Sequence, residues 1–117
     1  MACNACSDIQ GTLTVDVLAQ QRLPDCVNRF EDFGYYGDDL DFTYLKKCLA
    51  CGTYFAEHHQ DHFEQGGAVV TWIERIEKTK AAVLIPKIIG KVESAEWLKA
   101  KYSLAKLKAE LKRLEKT

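Results

Sequence analysis

No stretch of the chain approaches the roughly 18 consecutive apolar residues of a membrane-spanning helix. The start, Met1-Ala2-Cys3-Asn4-Ala5-Cys6-Ser7-Asp8, has no basic region followed by an apolar one. A secretory signal is therefore not expected, and a cytoplasmic location is. There thiols stay reduced, and paired cysteines signify metal or redox chemistry more often than disulfides. The sequence also lacks a nucleophile elbow, a phosphate-binding glycine loop and a paired-carboxylate signature. Asp38, Asp39 and Asp41 lie close together but without the alternate ligands, central glycine and distant glutamate of an EF-hand, so calcium is not expected. These absences point away from an enzyme.

The 117 residues, 47% hydrophobic and 28% charged, fit one ordinary globular domain, 1–117, with a modest core. A net charge of −1 conceals an asymmetry: residues 1–65 carry 11 acids and 4 bases, residues 66–117 carry 6 acids and 12 bases. The acidic front and basic tail are two solvated faces, attract each other, or are offered to separate partners.

Two C-x-x-C pairs, Cys3/Cys6 and Cys48/Cys51, are the strongest signal. Four thiolates in two close pairs are what a tetrahedral zinc site takes, and with all four bound no position stays open for water, which makes the site structural. Four cysteines also hold iron in a cluster, so zinc and iron both stand as candidates. A thioredoxin-like redox pair needs a preceding strand, and none precedes Cys3. Cys26 shares an apolar face with Val27 and Phe30 and reads as a buried small hydrophobe, with substitution for a terminal ligand as its other role. His58 and His62 are spaced as in H-E-x-x-H, but His59 occupies the position of the catalytic glutamate. On a strand His58 and His62 would lie about 13 Å apart, too far for one metal. His58, His59 and His62 therefore read as polar hairpin residues, or as one replacement for a missing cysteine.

Residues 11–21 are ambiguous: Leu13, Val15 and Val17 alternate, while Val15, Leu18 and Ala19 follow helical spacing. Ala19-Gln20-Gln21-Arg22 are good helix formers and Pro24 follows, so a short helix is expected. Pro24-Asp25 opens a second helix with Cys26, Val27, Phe30 and Phe33 on one face and Gly34 as its stop. Residues 34–41 read as a turn-rich acidic loop, a solvated loop or a contact for a basic partner. Residues 42–45 and 53–59 read as strands flanking a knuckle at 48–52, where Gly52 supplies backbone freedom and amides face the sulfurs. A turn at 65–67 leads to a return strand over 68–76, with Val69, Thr71, Ile73 and Arg75 on one face and Val70, Trp72, Glu74 and Ile76 on the other. Residues 77–90 are helical with Pro86 inside, so the helix kinks there or ends near Leu84. A long helix over 94–116 is expected, capped by Ser94, with Trp97, Ala100, Leu104, Leu107, Leu111 and Leu114 as its seam.

Leu45-Lys46-Lys47-Cys48-x-x-Cys51-Gly52-Thr53-Tyr54-Phe55 and the hairpin after it resemble the zinc knuckle of zinc-ribbon proteins, in particular small bacterial ones of unassigned function. The resemblance covers residues 43–76 plus the Cys3/Cys6 pair. The chain departs from it in having Leu49 where many knuckles have proline. The cysteine pairs are also 41 residues apart, against about 15–20 in a compact ribbon. The expected fold is α+β: an elaborated zinc-ribbon-like hairpin (43–76) with knuckles at 3–6 and 48–52, short N-terminal helices and the long C-terminal helix. Cys3, Cys6, Cys48 and Cys51 are the expected ligands of a structural Zn2+. The expected function is a non-enzymatic, zinc-stabilised module that binds a protein partner. Nucleic-acid binding through the lysine-rich C-terminal helix and C-x-x-C redox or metal-handling chemistry are the alternatives. The leucine seam packs on the chain's own core or pairs two copies as a homodimer.

Overall fold

β-Branched and aromatic residues crowd the middle of the chain. In the computed structural model, which describes residues 3–62, 66 and 69–116, they form one antiparallel sheet. Its strands are β1 (Thr12–Asp16), β2 (Glu31–Gly37), β3 (Asp41–Lys47), β4 (Tyr54–Asp61) and β5 (Val69–Ile76). Their order is β1-β5-β4-β3-β2, so β2 to β5 form a meander and β1 returns to pair with β5. Three helices follow: α1 (Lys78–Glu93), α2 (Glu96–Lys101) and α3 (Leu104–Glu115). None of the described helices is long and apolar enough to cross a membrane.

Alternation along the strands gives the sheet two apolar faces. On one, Phe33, Leu45, Tyr54 and Ala56 meet Ala81, Leu84, Ile85, Ile88 and Val92 of α1, with Leu98, Leu107 and Leu114 from α2 and α3. On the other, Phe55 and Ile73 meet Cys6, Ile9, Cys26, Val27 and Phe30, and Phe30 stacks on Phe55 with ring centroids 4.7 Å apart. The molecule thus has three layers: an N-terminal layer, the sheet and the helices. The division of β5 follows the alternation, with Ile73 beneath the N-terminal layer and Ile76 against the helices.

The class is α+β, but the hairpin of 43–76 is the middle of a five-stranded sheet and not a free-standing ribbon. The turn expected at 65–67 falls largely outside the described residues; Gly66 is in a turn with φ +77°. The helix expected over 11–21 is strand β1, in register from Thr12 opposite Glu74 to Asp16 opposite Val70. The ladder offered by the edge of β5 outweighs local helix propensity, and the good helix formers after Asp16 make only a turn.

The second expected helix shrinks to a 3-10 turn, Asp25–Arg29, after which the chain extends into β2. Phe33 therefore lies on the opposite side of the sheet from Cys26, Val27 and Phe30. Gly34 ends no helix. It sits at φ +112°, and a Cβ there would lie 2.9 Å from Ile88 Cγ2, so its missing side chain lets α1 pack closely on the sheet. Most of the loop expected at 34–41 belongs to β2 and β3. At the remaining turn, Asp38 Oδ1 accepts from the amides of Leu40 and Asp41, each at 2.8 Å.

Helix α1 runs through Pro86 without ending near Leu84. Proline inside a helix costs about 3 kcal/mol, whereas Ala81, Leu84, Ile85, Ile88 and Val92 all bury on one stripe, each large aliphatic worth about 1.5–3 kcal/mol. The long helix expected over 94–116 is two helices, broken at Tyr102-Ser103. Tyr102 turns away to donate its phenol to Asp32 Oδ2 at 2.9 Å. Ser103, not Ser94, caps α3, accepting from the Lys106 amide at 3.1 Å; Ser94 lies at the end of α1. The break resets the helical phase. Leu107 and Leu114 stay buried as the seam predicts, but Leu98 takes the inward position and Trp97 is 61% exposed.

Helix α3 is tied to the sheet beside the knuckle. Tyr54 donates to Glu110 Oε1 at 2.8 Å, Arg113 donates to the Tyr54 hydroxyl at 2.8 Å, and Lys47 reaches Glu110 Oε2 at 3.4 Å. Lys106 pairs with Glu31, so part of the charge asymmetry is resolved within one molecule.

Candidate metal centre

The link between β3 and β4 is shaped by its own backbone. The Cys48 amide donates to Thr53 O at 2.9 Å and the Gly52 amide to Cys48 O at 2.7 Å. Closing so tight a turn requires the left-handed conformation that Gly52 adopts at φ +79°. The N-terminal pair makes a matching turn, with the Cys6 amide donating to Cys3 O at 3.2 Å and the Ile9 amide to Cys6 O at 3.1 Å.

The two turns meet. The sulfurs of Cys3, Cys6, Cys48 and Cys51 all lie within 4.8 Å of one another. Cys3 Sγ is 3.9 Å from Cys48 Sγ, and Cys6 Sγ is 3.7 Å from Cys51 Sγ. Zinc–sulfur bonds of 2.3 Å in a tetrahedron put neighbouring sulfurs about 3.8 Å apart, so the spacing fits a four-coordinate ion held by one pair from each end of the connection. Cys6 and Cys48 are buried, Cys3 is half-buried and Cys51 is exposed, which places the site at the rim of the N-terminal layer.

The electrostatics distinguish the four. Burial, together with contacts to the other three thiols, pushes the Cys6 thiol up to about 12, and burial also raises Cys48. The Thr53 hydroxyl, 3.1 Å from Cys51 Sγ, lowers that thiol to about 6. The backbone amides of Ala50 and Cys51 act the other way on Cys48 and lower it. Buried sulfurs this close repel one another as thiolates, and a divalent cation among them removes that penalty.

Arg75 is the residue that the sequence did not single out for this place. Its Nη2 donates to Cys6 O at 3.0 Å and lies 3.4 Å from Cys6 Sγ, its Nε donates to Ile9 O, and its guanidinium lies 5.2 Å from the centre of the Phe55 ring. It fastens the N-terminal turn to β5 and puts a positive charge beside the Cys6 sulfur. The signal was a lone arginine on a strand face otherwise made of Val69, Thr71 and Ile73.

Cys26 and the histidines lie elsewhere: among the described residues the four cysteines alone form such a cluster. Cys26 is 4% exposed in the N-terminal core, where burial raises its thiol. His58 Nδ1 meets the Thr43 hydroxyl at 2.9 Å, and its ring stacks on Trp72 at 4.7 Å. His59 lies between Glu57 and Thr71, and His62 lies 3.4 Å from Asp41. Comparison of the chain with models of protein families, with curated proteins and with solved structures found no match.

Proposed function

We propose that the protein is a non-enzymatic module that holds one structural Zn2+ through Cys3, Cys6, Cys48 and Cys51 and binds a protein partner in the cytoplasm. The observation that carries it is the convergence of four sulfurs from two distant turns within 4.8 Å. Soft thiolates select zinc over magnesium or calcium. Four protein sulfurs fill a tetrahedral shell and leave no position for water or substrate, so the ion's contribution is to stability. The β3–knuckle–β4 unit is zinc-ribbon-like, extended by strands on both sides into a wider sheet. Leu49, on the knuckle, is 67% exposed and offers an apolar anchor for a partner beside the ion.

A second function, nucleic-acid binding, is supported by the exposed lysines Lys99, Lys101, Lys108 and Lys112 on α2 and α3. It requires binding that weakens steeply with salt. A homodimer through the last helix would have to use its outer surface, because Leu107 and Leu114 already face the chain's own core.

Elemental analysis with native mass spectrometry tests the proposal. One zinc per chain is expected in a colourless preparation, with the four thiols inert to a chromogenic disulfide until a chelator is added. Protein that folds from zinc-containing medium without metal, a coloured iron cluster, or thiols that react at once in the metal-loaded protein would overturn it. Rapid thiol reaction would favour the C-x-x-C redox or metal-handling alternative.

A further inference from the structure

The sheet face beneath the N-terminal layer carries a second built feature. Val15, Thr71, Glu57 and Lys46 lie in a diagonal row across β1, β5, β4 and β3, all on that face. Residues 17–28 wall this row and leave a cavity of about 420 Å³.

Its floor is polar and unevenly satisfied. Glu57 is 5% exposed. Its Oε1 accepts from Lys46 Nζ at 2.9 Å and its Oε2 from His59 Nε2 at 2.5 Å. The carboxylate places a proton on His59 Nε2, and His59 Nδ1 lies 3.1 Å from the Thr71 hydroxyl. The carboxylate is thus engaged at both oxygens. Lys46 is not: its side chain is 17% exposed, and its three donors meet one acceptor, Glu57, and the face of the Tyr44 ring at 5.3 Å. Arg22, on the cavity wall, has no hydrogen bond or ion pair with any described residue. Lys46 and Arg22 thus bring cationic donors to the cavity that Glu57 alone does not satisfy. Val15, Leu23 and Val27 line it with aliphatic surface.

We propose that this cavity binds a small aliphatic monocarboxylate, its head group held between Lys46 and Arg22 and its tail against Val15, Leu23 and Val27. Arginine and lysine around a carboxylate give charge-assisted, directional bonds. Asp25 on the wall and Glu57 on the floor set two negative charges beside the two positive ones, which suits a monoanion and disfavours a phosphate dianion. None of the four cysteines lines the cavity, so ligand binding by the zinc-loaded protein and its metal content are separate measurements.

Amide NMR spectra of the full-length, zinc-loaded protein, titrated with hexanoate, inorganic phosphate or hexylamine, test it. Hexanoate should saturably shift the amides of Val15, Leu23, Val27 and Lys46, while phosphate and hexylamine leave them in place. Arg22→Gln, an exposed change that does not touch the core, should weaken hexanoate about tenfold, and Lys46→Met should abolish binding. The proposal is overturned by a lack of saturable shifts, by hexylamine or phosphate binding as tightly as hexanoate, or by unchanged hexanoate affinity in both variants.

Discussion

Nine buried side chains from residues 81–114 close the helix side of the sheet, whereas five, Cys6, Ile9, Cys26, Val27 and Phe30, close the other. The helix side has three helices whose backbone hydrogen bonds are made internally. The N-terminal layer has one 3-10 turn and otherwise depends on turns, on Arg75 and on whatever joins the four sulfurs. At about 1.5–3 kcal/mol for each large apolar side chain fully buried, the helix layer gains more from buried area than the N-terminal layer does. Both must offset about 1–2 kcal/mol of backbone entropy for each residue ordered, and the N-terminal layer has fewer internal hydrogen bonds with which to hold its chain in place. The ion proposed among the four sulfurs would change that balance by restricting the chain at its free end before any area is buried.

If the four sulfurs hold zinc as proposed, metal removal should break this comparison most sharply, because zinc binding in small domains is worth about 10–16 kcal/mol. Chelation, or Cys48→Ser, should abolish amide-exchange protection over residues 3–30 first, while α1 and α3 keep theirs longer; equal loss in both layers would show that they are one cooperative unit. On the opposite side, Ile88→Ala should cost about 2–5 kcal/mol. It should lower the melting temperature at unchanged zinc content, as read by calorimetry with metal analysis. Gly34→Ala puts a methyl group 2.9 Å from Ile88 at a positive φ and should cost about 1–3 kcal/mol, again with metal retained.

The smallest effect concerns acid. Burial opposes the charge on Glu57, but the His59 hydrogen bond and the Lys46 charge outweigh it and hold the carboxyl below its ordinary value. Its contribution is therefore present above the unfolded value of about 4.3 and lost as pH falls through the lower folded value. Glu57→Gln should flatten the acid limb of a melting-temperature series. An unchanged limb would mean that metal release alone sets acid stability.

Where neighbours along the chain decided the outcome, the residues could be read in advance. Cys48 to Gly52 needs only its own turn, β3 and β4 flank it as their β-branched and aromatic residues require, and the two faces of β5 follow from alternation alone. Leu107 and Leu114 announced the inward stripe of α3. Elsewhere distant partners decided. Residues 12–16 became a strand because β5 had an open edge. The last helix broke because Tyr102 found Asp32 some seventy positions earlier. Arg75 was legible as an isolated charge on an apolar strand face but not as the clamp on Cys6 and Ile9.

By itself the sequence determined which chemistry was available: four thiolates in two tight pairs, each pair set by a spacing of three residues that holds in any fold. Only the tertiary structure decided that the pairs meet, because 41 residues separate them and joining them requires β1 to pair with β5 and the intervening chain to lie on the sheet. Local spacing survives in every conformation of the chain; contact between distant segments exists only where enough surface is buried to offset the entropy of bringing them together.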